Sequence, residues 1–307
     1  QGLLAPSDEV AGAEIRAIFD KLYDGIFIHT VDGLIRDMNL RAQEMYQVDL
    51  ASACALSITT DFSSPENPLD ALPRIWKQVL QGEPQFMEWL ARRPGDGSLF
   101  EAEIYLQMIS LRGENLIMAC VRDISQRKRA ERTTRCMYNI SNAASTAENL
   151  DELYATIHGV LQKASPVPNF QLALVDTAKD RLDFPYFQDE VDTLPSIENI
   201  SDPEVKSLTL TVLRTGKPLF ITKPEFHARR VEDAPVDTDV VGTMPEVWLG
   251  VPLKAQDTVI GVMSVQDYHN QDRFSQDDVS FMVSVSEQVA MAIERNKDRQ
   301  ALTMSRE

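Results

Sequence analysis

The sequence predicts an α+β protein of two domains, each built on a central antiparallel sheet that helices flank, with a long helix between them. Its length of 307 residues exceeds what one hydrophobic core usually holds, so two domains are expected. Runs in which apolar and polar residues alternate, as in half-buried strands, occur in both halves of the chain. A helical pattern lies between these halves.

The first half begins with a helix and a hairpin. Apolar residues at helical spacing predict a helix over residues 8–23, and Asp32-Gly33 is a strong signal for a turn between the two strands that follow. Asn39 is expected to cap a short helix. The prolines in residues 50–82 are expected to break that region into short pieces.

Three more strands are predicted between residues 84 and 123, joined by turns at 94–97 and 112–115. Together with the hairpin they make a five-stranded sheet. The middle strand alternates cleanly, as expected for a strand with one buried face. Its predicted buried face consists of Phe100, Ala102, Ile104 and Leu106.

The last of these strands ends in "VRDISQRKRAE" and passes directly into a basic helix. Residues 122–135 hold six basic and two acidic side chains, and cations at a helix N-terminus oppose the macrodipole by about 0.3–1 kcal/mol each, so acidic partners are expected nearby. Ser125 could cap the helix and Asp123 could pair with a cation. We interpret the run as an ion-paired helix surface, with a patch for an acidic partner as the alternative.

A weak apolar seam continues along this helix and predicts a dimeric coiled coil. We expect a homodimer through the linker and the C-terminal helix. The alternative is a single helix that packs on its own domain. The seam residues, spaced alternately three and four apart, are Ala130, Thr133, Met137, Ile140 and Ala144.

The second half is predicted to begin with a helix, two strands and a loop. Asn149 and Glu152 resemble a capping box in front of an apolar helical stripe. Two strands joined by a turn are predicted within residues 169–187, and residues 188–206 are expected to form an acidic loop.

The rest of this half is predicted to complete a sheet of five to six strands. Gly216 is expected to end a helix before another strand, and residues 223–245 are expected to form a long polar loop. A two-stranded hairpin is predicted over residues 246–268. Ser275 is expected to cap a final helix whose acidic first turn suits the helix dipole.

The order of elements in the first half, and the segments "TVDGLIRDMN", "RRPGDGSLFEAEI" and "VRDISQRKRAE", resemble the PAS sensor family over about residues 13–130. Asp123-Ile124-Ser125 is similar to the family's Asp-Ile-Thr exit motif, with Ser in place of Thr. The resemblance implies that a signalling helix leaves the sheet at this motif. The residues expected to relay the signal are Asp123, Ile124, Ser125 and Arg127.

The second half resembles a GAF domain over about residues 140–296, through "FPYFQDEVD", "LTLTVLRTGKPLFI", "VWLGVPL" and "IGVMSVQDY". It is similar to GAF domains that precede output modules in bacterial histidine kinases and diguanylate cyclases. Both families bind diverse ligands, so the resemblance implies a sensor without specifying its signal. The expected segments are an N-terminal segment (1–12), a PAS domain (13–123), a linker helix (124–145), a GAF domain (146–296) and a C-terminal helix extension (297–307).

A pocket for a small ligand is expected against the inner face of either sheet, although residues of this kind are more often core residues than part of a ligand wall. The PAS candidates are Ile26, Ile28, Trp89, Ile104, Leu106 and Ala119. The GAF candidates are Phe170, Leu172, Phe184, Tyr186, Trp248, Met263 and Val265. Residues 188–190, which follow an aromatic strand, are the candidate polar functional loop, although a solvated loop is the favoured interpretation. His29, at a strand end, is expected at the surface or in a hydrogen bond.

The sequence carries no recognised catalytic motif. None of the four histidines has the context of a kinase phospho-acceptor, and the chain lacks a Gly-Gly dipeptide, GxSxG and HExxH. We therefore expect no enzymatic activity in this chain.

Chromophores, haem and metal ions are not expected either. Cys54 lacks the Asn-Cys-Arg-Phe context of flavin-binding PAS domains, residues 40–85 contain no histidine for haem, and no cysteine is placed for a bilin. Phe274 and its neighbours in "HNQDRFSQDD" match the cyclic-nucleotide motif of some GAF domains only in part, because Gln271 stands where that motif has Lys. We interpret this segment as a core plug followed by a helix start. The sequence leaves open the binding of an unknown small ligand.

Composition limits the partners. The net charge of −17 disfavours nucleic acids, no apolar run approaches the ~18 residues of a membrane span, and three scattered cysteines fit a reducing cytosol. Because the chain opens on Gln1, we expect a fragment whose output module lies beyond Glu307.

The predicted function is the sensory input region of a cytosolic bacterial signalling protein, with a histidine kinase favoured over a diguanylate cyclase as the output. The alternative is a dimerisation and protein-contact scaffold.

Overall fold

The computed structural model describes residues 8–111, 113–165, 168–193, 196–232, 243–256 and 258–304. The chain divides into two compact units, Gln1–Ala130 and Glu131–Glu307. Each unit has its own antiparallel sheet and its own hydrophobic core, so the predicted α+β class is confirmed.

The first unit is built on a five-stranded sheet with the strand order β2-β1-β5-β4-β3. Its core lies between one face of this sheet and the short helices that connect β2 to β3. Its elements are α1 (Asp8–Asp20), β1 (Gly25–His29), β2 (Ile35–Met38), α2 (Leu40–Tyr46), α3 (Leu50–Ala53), a 3₁₀ helix (Leu69–Ala71), α4 (Leu72–Leu80), β3 (Gln85–Arg92), β4 (Leu99–Leu111) and β5 (Glu114–Asp123).

Asn39 holds together the start of this unit. Its Oδ1 accepts the Ala42 N–H at 2.9 Å, which confirms the predicted cap of α2, and also accepts the Ile26 N–H of β1 at 2.9 Å. Its Nδ2 donates to the carbonyls of Phe19 and Asp24. One fully buried side chain therefore ties together α2, β1 and the segment after α1.

The second unit is built on a six-stranded sheet with the strand order β8-β7-β6-β11-β10-β9. The main core lies between one face of the sheet and α5, α6 and α9, and a smaller core lies on the opposite face under α7. The elements are α5 (Ser125–Thr146), which begins in the first unit, α6 (Leu150–Ala164), β6 (Asn169–Asp176), β7 (Arg181–Gln188), β8 (Ser196–Glu198), α7 (Leu208–Thr215), β9 (Leu219–Thr222), α8 (Lys223–Glu232), β10 (Val247–Ala255), β11 (Thr258–Asp267) and α9 (Gln276–Met304).

Two loop predictions are wrong in part. The acidic segment 188–206 contains β8, a three-residue strand that pairs with β7. The polar segment 223–245 begins with α8, where Glu225 accepts the Thr222 N–H at 2.9 Å and Phe226 packs into the smaller core. Both elements contain few apolar residues, so the hydrophobic pattern of the sequence was too weak to indicate them. Residues 233–242 of the predicted loop lie outside the described residues.

Candidate functional site

A cavity of about 190 Å³ lies in the second unit, on the sheet face that α7 covers. This volume is far above the ~10–15 Å³ that one water molecule needs and below the ~300–1,000 Å³ of pockets for drug-sized ligands. The cavity therefore suits a small metabolite. Its lining residues are Gln171, Phe187, Asp192, Thr193, Ile197, Ser207, Leu208, Thr209, Thr243, Met244, Pro245, Trp248 and Gln266.

Trp248 forms the apolar floor of the cavity, because alternate side chains of β10 point to opposite faces of the sheet. Its neighbours Val247 and Leu249 point into the main core, so the indole projects from the opposite face. Gly250, two residues on, leaves room for the indole to lie flat along the strand. A Cβ at Gly250 would lie only 2.1 Å from Cη2 of Trp248.

A network of polar side chains closes one side of the cavity. Asp189 accepts hydrogen bonds from Nε2 of Gln266 at 2.6 Å and from the Tyr268 hydroxyl at 3.0 Å. Nε2 of Gln171 also donates to Asp189, at 3.3 Å. Burial, together with the charges of Asp189 and Asp192, raises the pKa of Tyr268, so its hydroxyl keeps its proton and donates.

Two polar atoms at the wall have no hydrogen-bond partner among the residues that the structure describes. A carboxylate can only accept, so the bond to Asp189 fixes Nε2 as the engaged end of the Gln266 amide and leaves Oε1 without a partner. The hydroxyl of Thr209 is the second such group. Gln266 and Thr209 are only 5% and 8% exposed as whole residues, but these two atoms are not enclosed, so water or a bound molecule can reach both of them from the cavity.

Among the described residues, the same wall carries one full charge and one helix terminus. Asp192 accepts the backbone N–H of Thr243 at 2.6 Å and its hydroxyl at 2.8 Å. The helix terminus is opposite in sign to Asp192. It is the beginning of α7 at Leu208, where the first N–H groups have no partner within the helix. Ser207 caps α7 by accepting the Leu210 N–H at 3.0 Å.

A second, smaller cavity of about 40 Å³ lies in the core of the first unit. His29 and Trp76 are part of its largely apolar wall, with their rings 5.8 Å apart. Nδ1 of His29 hydrogen-bonds the Thr30 carbonyl at 2.8 Å, and because a carbonyl only accepts, Nδ1 carries the proton. Burial lowers the pKa of His29, so the ring is neutral near pH 7.

At the end of the first sheet, acidic residues of the strands receive the basic start of α5. Arg127 pairs with Glu103 of β4, and Lys128 pairs with Glu88 of β3 at 2.7 Å. The expectation that nearby acids compensate the basic run is thus confirmed for these two cations. Arg122, at the end of β5, pairs with Asp24 at 2.8 Å.

The strand-to-helix transition itself is held by backbone and side-chain bonds. Asp123 accepts the Ser125 N–H at 2.8 Å, and the Ser125 hydroxyl accepts the Glu101 N–H of β4 at 3.1 Å. The prediction that Ser125 is the N-cap is therefore wrong, because it is the first helical residue and bonds back to the sheet. Ile124 is buried, and its N–H donates to the Glu101 carbonyl.

Comparison with known families decides what the two units are. The model of the PAS domain matches residues 13–80, and the model of the GAF domain matches residues 147–294. The chain carries a PAS domain followed by a GAF domain. The first unit is accordingly called the PAS domain below, and the second unit the GAF domain.

Solved structures of both kinds are similar to parts of the chain. The PAS domain of an HTR-like protein from Haloarcula marismortui is 26% identical and covers 38% of this chain and 93% of its own, with a TM-score of 0.35. The GAF domain of a phosphoenolpyruvate-protein phosphotransferase from Coxiella burnetii is 16% identical and covers 56% of this chain and 98% of its own, with a TM-score of 0.43. The search of curated proteins found no match.

The predicted PAS pocket residues divide between the two faces of the sheet. Trp89, Ile104, Leu106 and Ala119 line the small PAS cavity together. Ile26 and Ile28 do not, because on β1 the alternate residues Phe27 and His29 face the cavity. His29 is 1% exposed and hydrogen-bonded, so of the two expectations for it the surface position is wrong.

The predicted GAF pocket residues are divided in the same way. Of the seven, only Trp248 lines the GAF cavity. Phe184 packs against the smaller core on the same face as the cavity. The other five belong to or pack on the main core under α5, α6 and α9: Phe170, Leu172, Tyr186, Met263 and Val265. In the candidate polar loop, Asp189 holds the network beside the cavity, as described above.

The structure also places the side chains that were weighed for cofactors. Cys136 is buried in the main core of the GAF domain, and this burial raises the pKa of its thiol to about 11. Phe274 fills the same core, in line with its interpretation as a plug, and Asp278 accepts the Ser275 N–H at 2.9 Å where α9 begins. Within the described ranges, no group of three or more His, Cys, Asp or Glu side chains is arranged to hold a metal ion. None of the described helices is long and apolar enough to cross a bilayer.

Proposed function

We propose that this chain is the sensory input region of a cytosolic bacterial signalling protein and that its GAF cavity binds the signal molecule. The observation that carries the proposal is the cavity of about 190 Å³ whose wall presents side-chain polar atoms, Oε1 of Gln266 and the Thr209 hydroxyl, that have no partner among the described residues. A few polar groups placed in a largely apolar pocket orient a small molecule, so a ligand that hydrogen-bonds these atoms gains specificity. The three free cysteines are consistent with a reducing compartment.

The relay is proposed to run through the start of α5. A signal can shift a conformational equilibrium only if it binds the two states with different affinity. The transition from β5 to α5 offers a place for two states, because Ser125 and the Arg127–Glu103 pair tie the helix to β4 and can release it. We propose that this connection biases α5, and that α9 carries the change to an output module. That module is proposed to be a histidine kinase, with a diguanylate cyclase as the alternative.

Native mass spectrometry of freshly purified protein tests the ligand-binding role directly. We expect a co-purifying small mass, or a mass acquired from a metabolite extract. Thr193 is exposed at the cavity wall, so Thr193→Trp should block the cavity without disturbing the core and should abolish the added mass. Thr211→Trp, at an exposed position of α7 away from the lining, is the matched control and should retain the mass. A clean apo spectrum under all these conditions argues against the role.

One observation favours the scaffold alternative. Ile15 and Ile18 on α1 are 68% and 66% exposed, an apolar surface that a second copy or a partner protein could cover. The dimeric coiled coil is still a prediction. Two residues of its seam, Ile140 and Ala144, are buried in the GAF core of a single chain and are therefore not available to a second copy. Sedimentation of wild type and of Ile15→Glu/Ile18→Glu separates the readings: a dimer that the substitutions dissociate supports a contact surface on α1.

A further inference from the structure

We propose that the ligand of the GAF cavity is a free α-amino acid, bound as its zwitterion through both charged ends. This inference rests on the proposed ligand-binding function and specifies the class of ligand. It follows from three features of the wall, namely an acceptor group for an ammonium, a donor group for a carboxylate, and an apolar floor.

The ammonium site consists of Asp192 and Oε1 of Gln266. Both line the cavity, both can accept hydrogen bonds, and Oε1 has no partner among the described residues. A primary ammonium carries three donors and one positive charge, which matches a carboxylate and an amide oxygen. No Lys, Arg or His stands among the described lining residues, so a cationic group meets no repulsion there.

The carboxylate site is the beginning of α7. Ser207, Leu208 and Thr209 all line the cavity, and the N–H groups of Leu208 and Thr209 lack intrahelical partners. Backbone N–H groups and the helix dipole at such a terminus favour an anion. The independent observation is the side chain of Thr209, a cavity-lining residue that is 8% exposed as a whole and whose hydroxyl has no partner among the described residues. It can donate to the carboxylate.

The apolar part of the cavity is left for the amino-acid side chain. Trp248, Phe187, Ile197 and Met244 supply this part of the wall. A cavity of about 190 Å³ limits the ligand to a single small metabolite. A nucleotide fits poorly, because it is larger and its phosphates would meet the carboxylate of Asp192 without a cation to neutralise them.

Isothermal titration calorimetry on the full chain provides the test. The protein is first unfolded in urea and refolded, which removes co-purified molecules. A thermal-shift panel of the common L-amino acids selects the tightest ligand, with L-leucine as the first probe. Two analogues each lack one charge: 3-methylbutylamine has no carboxylate, and 4-methylpentanoate has no ammonium. We expect saturable binding of the amino acid and at least about tenfold weaker binding of each analogue.

Variants assign the two ends separately. Asp192→Asn should weaken the amino acid at least about tenfold while leaving 4-methylpentanoate binding as tight as before or tighter, because the carboxylate that repels this anion is gone; misfolding would not produce this pattern. Asp298→Asn, the same charge change at an exposed position of α9, is its control. Thr209→Val should weaken the amino acid about fivefold. Thr211→Val is matched to it, because the Thr211 hydroxyl bonds the Ser207 carbonyl at 2.9 Å instead of facing the cavity.

The outcomes separate this inference from the proposed function. If either analogue binds as tightly as the amino acid, or no amino acid binds, the zwitterion proposal is overturned. If some other small molecule then binds in a way that Thr193→Trp blocks, the ligand-binding function stands without it. If nothing binds in any experiment, both proposals fail.

Discussion

Gly250→Ala should destabilise the GAF domain and displace Trp248 from the cavity floor. The new Cβ would lie 2.1, 2.6 and 2.9 Å from three carbons of the indole ring. Carbon atoms in contact prefer about 3.5–4.0 Å, so the ring must retreat by roughly 1.4 Å or more. Trp248 is only 3% exposed and packs in the smaller core, so its rigid ring can retreat only into the cavity or by repacking its neighbours. Overpacking of this kind costs about 1–3 kcal/mol of unfolding free energy.

Urea denaturation measures this effect, and Trp248 itself can report it. The chain has three tryptophans, and Trp76 and Trp89 both lie in the PAS domain, so replacing those two with Phe leaves a single emitter in the GAF domain. We expect Gly250→Ala to lower the unfolding free energy of the GAF transition by about 1–3 kcal/mol and to shift the emission to longer wavelength as the indole meets water.

Gly159→Ala is the matched control, because it adds the same methyl group where nothing lies within 4 Å. Gly159 is inside α6, where alanine is favoured over glycine by about 0.5–1 kcal/mol, so this variant should be more stable than wild type. If Gly250→Ala behaves like Gly159→Ala, with unchanged emission, the close approach of Trp248 to the strand is refuted.

Three further predictions concern buried polar groups. Burial lowers the pKa of His29, so below about pH 6.5 the unfolded chain binds more protons than the folded chain, and the unfolding free energy decreases as the pH is lowered, by at most ~1.4 kcal/mol per pH unit. His29→Gln should remove this component from urea titrations at pH 5.5 and 7.5. An identical pH dependence in wild type and variant would contradict the assignment. Asn39→Ala should lower the unfolding free energy of the PAS domain by about 2–4 kcal/mol in the same titrations, because four hydrogen bonds are lost. Asn142→Ala, at an exposed position, should leave the unfolding free energy nearly unchanged. Equal effects of the two substitutions would disprove the role of Asn39. The thiol of Cys136, with its pKa raised to about 11, should react with Ellman's reagent at least about tenfold more slowly than exposed Cys54, and comparable rates would place Cys136 outside the core.

Strands with one buried face could be read from the sequence, because their alternation is a local property. On β4, Phe100, Ala102 and Leu106 are buried as predicted. On β1 the same reasoning failed to select a face. "GIFIH" is apolar on both sides, so nothing local distinguishes Ile26 from Phe27, and the pairing of β1 with β5 and β2 decides which side meets the core.

The GAF cavity shows the same limit on a larger scale. Gly250 and Trp248 were visible in "VWLGVPL", but that segment could not show that the indole needs the glycine. Asp192, Thr209 and Gln266 are far apart in the chain, and none belongs to a recognised motif. The pocket residues predicted from hydrophobicity mostly fell in the main core, because apolar strand residues are the ones that helices cover.

The sequence by itself therefore determined the two domains, their sheets and most of their helices, since periodicity, caps and turns depend on neighbouring residues. Only the tertiary structure decided which sheet face holds each cavity and which polar atoms remain without partners at its wall. Those properties depend on strand pairing and on contacts between distant segments, and a linear pattern carries no record of them.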